Sequence, residues 1–194
     1  MDSLLQKILS ELEQFGEAND QQTTERSERM LNITRDTGEF LSVLIRATNA
    51  QRVLEIGTSN GYSTLWLADS CKAIGGEVTT IEISEYKFKL ATENFSRTNL
   101  SSVIKQVHGN AGILLSECQD SAYDLIFLDS ERSEYPGWWA DLKRILRPGG
   151  LLVVDNAISH SDEMAPFTSI VESDQNFTTS LVPVGKGEYL ATRS

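Results

Sequence analysis

The apolar residues of this chain fall into short runs that alternate with segments of helical periodicity. Five runs have the length expected of buried β-strands: residues 53–56, 78–83, 103–107, 124–128 and 151–154. Two further runs, 178–184 and 188–192, flank Gly185-Lys186-Gly187 and predict a hairpin. Strands separated by helices are expected to lie parallel. The pattern therefore predicts an α/β fold, a doubly wound, mostly parallel seven-stranded sheet with a C-terminal antiparallel hairpin.

The N-terminal part of the chain follows a different pattern. Six apolar residues recur at helical spacing and predict an amphipathic helix: Leu4, Leu5, Ile8, Leu9, Leu12 and Phe15. Residues 16–29 are polar apart from Ala18 and predict a mobile linker. We therefore divide the chain into an N-terminal helix and linker, residues 1–29, and a domain of residues 30–194. The apolar face of the helix could pack on its own domain or on a second subunit, and a homodimer through this helix is our hypothesis.

Length and charge narrow the class of protein. The 194 residues, 40% of them hydrophobic, suffice for one domain with a full core. The net charge of −11 opposes non-specific attraction to nucleic acid or to anionic membranes. No apolar run approaches the ~20 residues of a membrane span, and the N-terminus has no signal-peptide pattern. We therefore expect a soluble cytoplasmic protein without a membrane partner, and a nucleic-acid partner would require a local basic patch.

The first strand leads through a glycine turn into a helix, over Val53 to Ser63. In this turn Gly57 allows a sharp bend and Gly61 allows the backbone to approach a ligand. A dinucleotide site would need a third glycine, and Glu55 would repel its phosphates. S-adenosylmethionine has no phosphate and carries an ammonium and a sulfonium group. The turn therefore favours S-adenosylmethionine.

Two other strand ends carry residues that suit a nucleoside. Glu82 ends the second strand, where its carboxylate can accept hydrogen bonds from both ribose hydroxyls. The same acid would also bind the ribose of a nicotinamide cofactor. Glu82 therefore indicates that a nucleoside is bound but does not identify the reaction. Asn110, with Ala111 beside it, follows the third strand and could reach an adenine edge, or could be only a polar strand-end residue.

A second group of polar residues follows the fourth and fifth strands. Asp129 ends one strand, and Asp155 and Asn156 end the next. Carboxylate and amide oxygens are the ligands that hard cations such as Mg²⁺ select, and such a cation could activate a hydroxyl for methyl transfer. Alternatively, Asp155 and Asn156 form only a turn and Asp129 contacts only the cofactor.

From about Met30 to its end, the chain resembles the cation-dependent class I O-methyltransferases, a group that includes the catechol and caffeoyl-CoA enzymes. The matching segments are Glu55 to Ser63, Glu82, Phe127-Leu128-Asp129, Gly149-Gly150 leading to Asp155-Asn156, and Pro183 to Gly187. The resemblance implies a Rossmann-like methyltransferase fold and a divalent cation, Mg²⁺ or else Mn²⁺ or Ca²⁺, bound by Asp129, Asp155 and Asn156. It also implies that Glu82 binds the ribose and that Gly57, Ser63 and Asp129 surround the methionine part of the cofactor.

The proton acceptor is where the chain departs from this family. Arg132 stands where the family has a lysine proposed as general base, and arginine stays protonated in proteins. Arg132 could instead stabilise an oxyanion or bind an acidic substrate. His160, five residues after Asp155, is the nearest candidate base, although it could also be a plain surface or capping residue. Arg132 and His160 are therefore the candidate catalytic residues.

These patterns predict an S-adenosylmethionine-dependent O-methyltransferase that uses a divalent cation and acts on a small catechol-like or phenolic acceptor. The predicted cofactor-binding residues are Glu55, Gly57, Ser59, Gly61, Ser63, Glu82, Asn110, Ala111 and Asp129. Tyr135, Trp138 and Trp139 could wall the acceptor pocket or belong to the core. Two other functions stay open: an RNA-modifying methyltransferase acting on tRNA, and a non-catalytic module that binds S-adenosylmethionine.

Overall fold

The computed structural model describes residues 1–194, and its strands form one seven-stranded sheet. The strands are β1 (Arg52–Ile56), β2 (Glu77–Glu82), β3 (Ile104–His108), β4 (Tyr123–Leu128), β5 (Leu146–Val154), β6 (Phe177–Val182) and β7 (Glu188–Arg193). Their order across the sheet is β3-β2-β1-β4-β5-β7-β6. The first five are parallel, and β7 is antiparallel to both β5 and β6. The predicted fold class is confirmed.

Helices cover both faces of the sheet. They are α1 (Ser3–Gln22), α2 (Arg35–Thr48), α3 (Tyr62–Ala73), α4 (Glu85–Ser96), α5 (Ala111–Glu117), α6 (Tyr135–Ile145) and α7 (Ser161–Glu172). Because side chains alternate along a strand, Leu125 and Phe127 pack towards α1 to α4, whereas Ile126 and Leu128 pack towards α5 to α7. None of the helices is both long and apolar enough to cross a bilayer.

The N-terminal helix differs from its predicted form. It continues through Gln22, so the prediction of a linker starting at Gly16 is wrong for this stretch. The polar residues of its last turns serve as anchors: Asp20 accepts hydrogen bonds from the amides of Met30 and Leu31, at 2.6 and 2.8 Å. The apolar face of α1 lies in the same core as α3. Four of the six predicted residues of this face are thus covered within the chain, whereas Leu4 and Phe15 are exposed, and the dimer stays a prediction.

The register of the strands brings the candidate residues to one edge of the sheet. Ile56, the last residue of β1, pairs with Ile81 on one side and with Leu128 on the other. Leu128 in turn pairs with Val154. The residues that follow these strand ends therefore line up along a single rim. Strand β7 runs the opposite way and begins at this rim, where its first residue is Glu188.

Candidate active site

The glycine turn after β1 needs glycine for two separate reasons. Gly57 has φ of +108°, and a Cβ atom there would lie 2.0 Å from the carbonyl oxygen of Asp129. Gly61 has φ of +87°, and its Cβ would lie 2.4 Å from the ring of Phe95. Both positions combine a left-handed backbone with a close approach, which only glycine tolerates. The backbone of the turn therefore packs directly against the residue that follows β4.

Glu82 is held in one orientation by backbone amides. Its two carboxylate oxygens accept hydrogen bonds from the amides of Ser59, at 2.9 Å, and Ser84, at 2.8 Å. Each oxygen retains a free lone pair, because a carboxylate oxygen can accept two hydrogen bonds. The side chain is buried at the rim. Glu82 is therefore oriented in a way that suits two ribose hydroxyls, and this role stays a prediction.

Glu55 supports the turn from below. Its carboxyl group is completely buried and accepts hydrogen bonds from the hydroxyls of Ser63, at 2.5 Å, Thr80, at 2.6 Å, and Thr64. Burial raises the pKa of Glu55 to about 7, although the three hydroxyls act in the opposite direction. Both Glu55 and Ser63 are thus engaged with protein groups here, and their predicted cofactor contacts stay predictions.

Sequence reasoning missed a segment that lies over the glycine turn. We call residues 30–33 the cofactor strap, because they line one cavity together with Gly57, Ser59, Ser63 and Asp129. The Ser59 hydroxyl donates to the carbonyl of Met30 at 2.7 Å. The only sequence signal was the return of apolar residues after the polar stretch 16–29.

Asn110 and Ala111 lie at the start of α5. The Asn110 side chain caps the helix, since its Oδ1 accepts a hydrogen bond from the amide of Ile113 at 3.3 Å. Ala111 is buried as the first residue of the helix. The indole nitrogen of Trp138 lies beside this helix start, near Gly112. Capping is therefore the role that Asn110 has in the structure, and an adenine contact stays a prediction.

The three candidate metal ligands lie together. The Asn156 amide nitrogen is 2.6 Å from Oδ2 of Asp155 and 3.4 Å from Oδ1 of Asp129. Asp155 and Asn156 are buried, and Asn156 has φ of +67°. Burial, followed by the nearby charges of Asp155 and Glu55, holds the pKa of Asp129 well above its ordinary value.

This donor set is of the kind that a hard divalent cation selects. The two carboxylates supply oxygens, and Asn156 would supply its amide oxygen once its side chain turns over, because its nitrogen faces both carboxylates here. The repulsion between Asp129 and Asp155 would be relieved by a positive charge. No set of three or more Asp, Glu, His or Cys side chains has the geometry to hold a metal ion. The donors present are therefore the mixed set of two carboxylates and one amide.

Glu188 is a fourth acid at this rim, and sequence reasoning missed it. Its side chain is completely buried, and Oε1 accepts a hydrogen bond from the Thr37 hydroxyl at 3.0 Å, whereas Oε2 has no donor. Burial and then the neighbouring Asp155 raise the pKa of Glu188 to about 10. Its place in the hairpin gave no signal, because only the antiparallel direction of β7 brings it to the rim.

The candidate catalytic residues lie beside the first turn of α7. Arg132, in a 3-10 turn after β4, is buried, and its Nε donates to Oε2 of Glu163 at 2.9 Å. His160 immediately precedes α7, with its Nδ1 2.9 Å from the Ser159 hydroxyl. Partial burial and then the charge of Arg132 lower the pKa of His160. The structure thus brings both residues close together, and their catalytic roles stay predictions.

Two of the three aromatic residues after β4 belong to the core. Tyr135 and Trp139 are buried and pack edge-on against Phe167, with ring centroids 5.6 and 5.8 Å apart. The Tyr135 hydroxyl accepts a hydrogen bond from the amide of Ser130 at 2.7 Å. Tyr135 therefore fixes the loop that follows Asp129.

Comparison with known proteins identifies the family. The O-methyltransferase family model matches residues 5–194. A protein of Mycobacterium sp. (strain JLS), provisionally named an O-methyltransferase, is 31% identical over 174 residues, which cover 83% of this chain and 79% of the relative. A Klebsiella pneumoniae structure, also provisionally named an O-methyltransferase, has a TM-score of 0.81 and 26% identity over 100% of this chain and 91% of that one.

A third protein shows the likeness of fold. The Bacillus cereus O-methyltransferase, solved in complex with S-adenosylhomocysteine (SAH), has a TM-score of 0.79 and 24% identity over 100% of this chain and 92% of that one. The family match spans nearly the whole chain. The chain therefore belongs to the family of S-adenosylmethionine-dependent O-methyltransferases.

Proposed function

We propose that this O-methyltransferase methylates a hydroxyl of a small catechol-like or phenolic acceptor and that a divalent cation takes part. One observation carries the proposal. Asp129 and Asp155 meet with Asn156 on the rim that also holds the glycine turn, and the backbone of Gly57 touches that of Asp129. A cofactor at the turn and an acceptor at the two carboxylates would therefore be immediate neighbours.

Asp129, Asp155 and Asn156 are the residues that would hold the cation. When bound, a divalent cation would bring two vicinal hydroxyls together and lower the pKa of one of them. Glu82 would fix the cofactor, because hydrogen bonds from the amides of Ser59 and Ser84 already set the orientation of its carboxylate. The protein's contribution is to hold the two reactants in line.

The acceptor must lose a proton as its oxygen attacks the methyl group. Arg132 cannot take that proton, but its guanidinium can stabilise the developing oxyanion. His160 is the nearby group able to accept it, because an imidazole that is neutral at physiological pH has a free ring nitrogen. We assign Arg132 to charge stabilisation and His160 to proton acceptance.

The test is transfer of labelled methyl from S-adenosylmethionine to 3,4-dihydroxybenzoate and to its methyl ester, with Mg²⁺ and with EDTA. We expect turnover only with Mg²⁺. Asp155→Ala should lower turnover by about 100-fold or more while cofactor binding persists. Asp120→Ala, on an exposed side chain, is the matched control.

The two parts of the proposal can fail separately. Full activity in EDTA, or in the Asp155→Ala variant, would refute the cation site. If neither acid, ester nor a simple phenol were methylated under any condition, the acceptor class would be wrong, and RNA would be the next acceptor to test.

A further inference from the structure

Unpaired cations gather at the acceptor side of the rim, although the chain has a net charge of −11. Among all lysines and arginines, only Arg26, Lys105 and Lys186 have neither an ion pair nor a side-chain hydrogen bond. Lys105 lies on β3, at the far edge of the sheet. The other two lie near His160, as their influence on its pKa shows. Two of the three free cations therefore share one location.

Lys186 is fixed at this location by its backbone. Its carbonyl accepts hydrogen bonds from the amides of Ile158, at 3.2 Å, and Ser159, at 3.0 Å. The tip of the hairpin is thereby attached to the segment between Asn156 and α7. The amide of Ala157, the residue after Asn156, likewise donates to the carbonyl of Gly187 at 2.8 Å, which places Lys186 beside the candidate metal ligands. An exposed lysine thus stands at the edge of the candidate cation site.

Arg132 adds a buried cation to this region. Its side chain is only 5% exposed, and its single hydrogen bond goes from Nε to Glu163. Its Nη2 is buried and lies 2.8 Å from the same carboxylate oxygen. Because this guanidinium is paired and enclosed, Arg132 acts on the acceptor through its charge and not through a direct contact.

The other residues around Lys186 and Arg132 include a third cation, several acids and one exposed apolar side chain. Arg26 lies in a 3-10 turn before the cofactor strap, and its charge reaches both His160 and Glu163. The acids on this side are Glu163, which Arg132 already pairs, the exposed Asp162, and Asp36, whose Oδ2 accepts a hydrogen bond from the amide of Gly185 at 3.1 Å. Ile158 is 46% exposed beside Lys186 and offers an apolar contact for an aromatic ring.

We infer that the methyl acceptor is a hydroxylated aromatic acid, whose carboxylate binds Lys186 while its hydroxyls face Asp129 and Asp155. This inference rests on the proposed function and specifies its substrate. Arg26 contributes long-range attraction, since it is exposed and has no partner of its own. The same field disfavours acceptors with a cationic side chain, so catechols that carry an amine should be poor substrates.

The first test is binding, which needs no turnover. Calorimetry would compare 3,4-dihydroxybenzoate, its methyl ester and 3,4-dihydroxybenzylamine on the protein saturated with SAH and Mg²⁺. We expect the acid to bind about tenfold more tightly than the ester, with the amine weakest. Lys186→Gln should reduce the ratio of acid to ester affinity about fivefold, Arg26→Gln about twofold, and Lys186→Glu most of all. Lys105→Gln, which removes an equally unpaired cation on β3, should leave the ratio unchanged.

Each outcome supports or overturns either the anion site or the proposed function. Equal affinity for acid and ester, or a ratio that Lys186→Gln and Lys105→Gln change alike, would overturn the anion site. Methyl transfer to the ester as efficient as to the acid would keep the proposed function and overturn this inference. Binding of the acid that depends on Lys186 without any methyl transfer would keep the anion site and refute the proposed function. If neither compound bound, both would fall.

Discussion

The cofactor side and the acceptor side of the rim treat their carboxyl groups in opposite ways. On the cofactor side, three hydroxyls donate to Glu55, and two backbone amides donate to Glu82. On the acceptor side, Asp129, Asp155 and Glu188 lie near one another, and the Asn156 amide and the Thr37 hydroxyl are the donors among them. Carboxyl groups on the cofactor side thus have several hydrogen-bond donors each, whereas those on the acceptor side lie close to one another and have few donors.

This difference separates groups that support the fold from groups that are kept for binding. Matched donors stabilise the turn at Glu82 whether or not a ligand is present, whereas burial makes the ionised form of Glu55 costly despite its three donors. Crowded carboxylates on the acceptor side raise the free energy of the folded protein, and a bound positive charge would lower it. We therefore expect substitutions at Glu82 and at Asp155 to change stability in opposite directions.

The largest effect is expected where the two sides touch, at Gly57. In Gly57→Ala, the new methyl group would stand 2.0 Å from the Asp129 carbonyl on a backbone with φ of +108°, so we expect a loss of about 4 kcal/mol or more in unfolding free energy. Gly75→Ala is the matched control, because Gly75 has φ of +74° but nothing within 4 Å. It should lose only about 1 kcal/mol. Equal losses in urea unfolding would show that the turn can relax away from β4.

The next effect depends on pH and concerns Glu55. Its pKa is raised in the folded protein from 4.5 to about 7, so the folded state holds this proton more tightly than the unfolded state. The stability it contributes is fully present below about pH 4.5 and is lost as the pH rises through 7. Wild type should therefore lose roughly 2 to 3 kcal/mol relative to Glu55→Gln between pH 5 and pH 8.

Urea unfolding of both proteins at the two pH values measures this difference, and other titrating groups cancel between them. Glu93→Gln, on the exposed side of α4, controls for a change of charge alone. A difference between wild type and Glu55→Gln that stayed constant with pH would mean that Glu55 does not titrate in the folded protein over this range.

What the sequence predicted well follows from one geometric rule. Parallel strands end at the same edge of a sheet, so a residue after each strand reaches the rim whatever the helices do. Asp129 and Asp155 could therefore be placed together from their positions alone, and the structure has the Asn156 amide between them.

What the sequence did not reveal depends on contacts between distant segments. Glu188 reaches the rim because β7 runs against β5, and nothing near Glu188 in the sequence encodes that direction. The cofactor strap is held by Asp20, which lies in a stretch that we predicted to be a linker. The polar composition of this stretch led to the wrong prediction, because polar residues at the end of a helix can hydrogen-bond a neighbouring segment as readily as they can form a loop.

The smallest expected change in stability tests the comparison most directly. Asp155→Asn removes one negative charge beside Asp129 and keeps an oxygen that can accept from the Asn156 amide. In EDTA at pH 8 we expect this variant to gain about 1 kcal/mol in unfolding free energy, because like-charge repulsion falls. Urea unfolding followed by circular dichroism would measure it.

Glu82→Gln is the counterpart on the cofactor side. It should lose about 1 kcal/mol, because two backbone amides would exchange a charged acceptor for a neutral amide that can accept through only one atom. A lower unfolding free energy in both variants would mean that the Asp155 carboxylate stabilises the fold as Glu82 does. A gain in Asp155→Asn with a loss in Glu82→Gln would mean that the acceptor-side carboxylates destabilise the fold and are arranged for a bound positive charge.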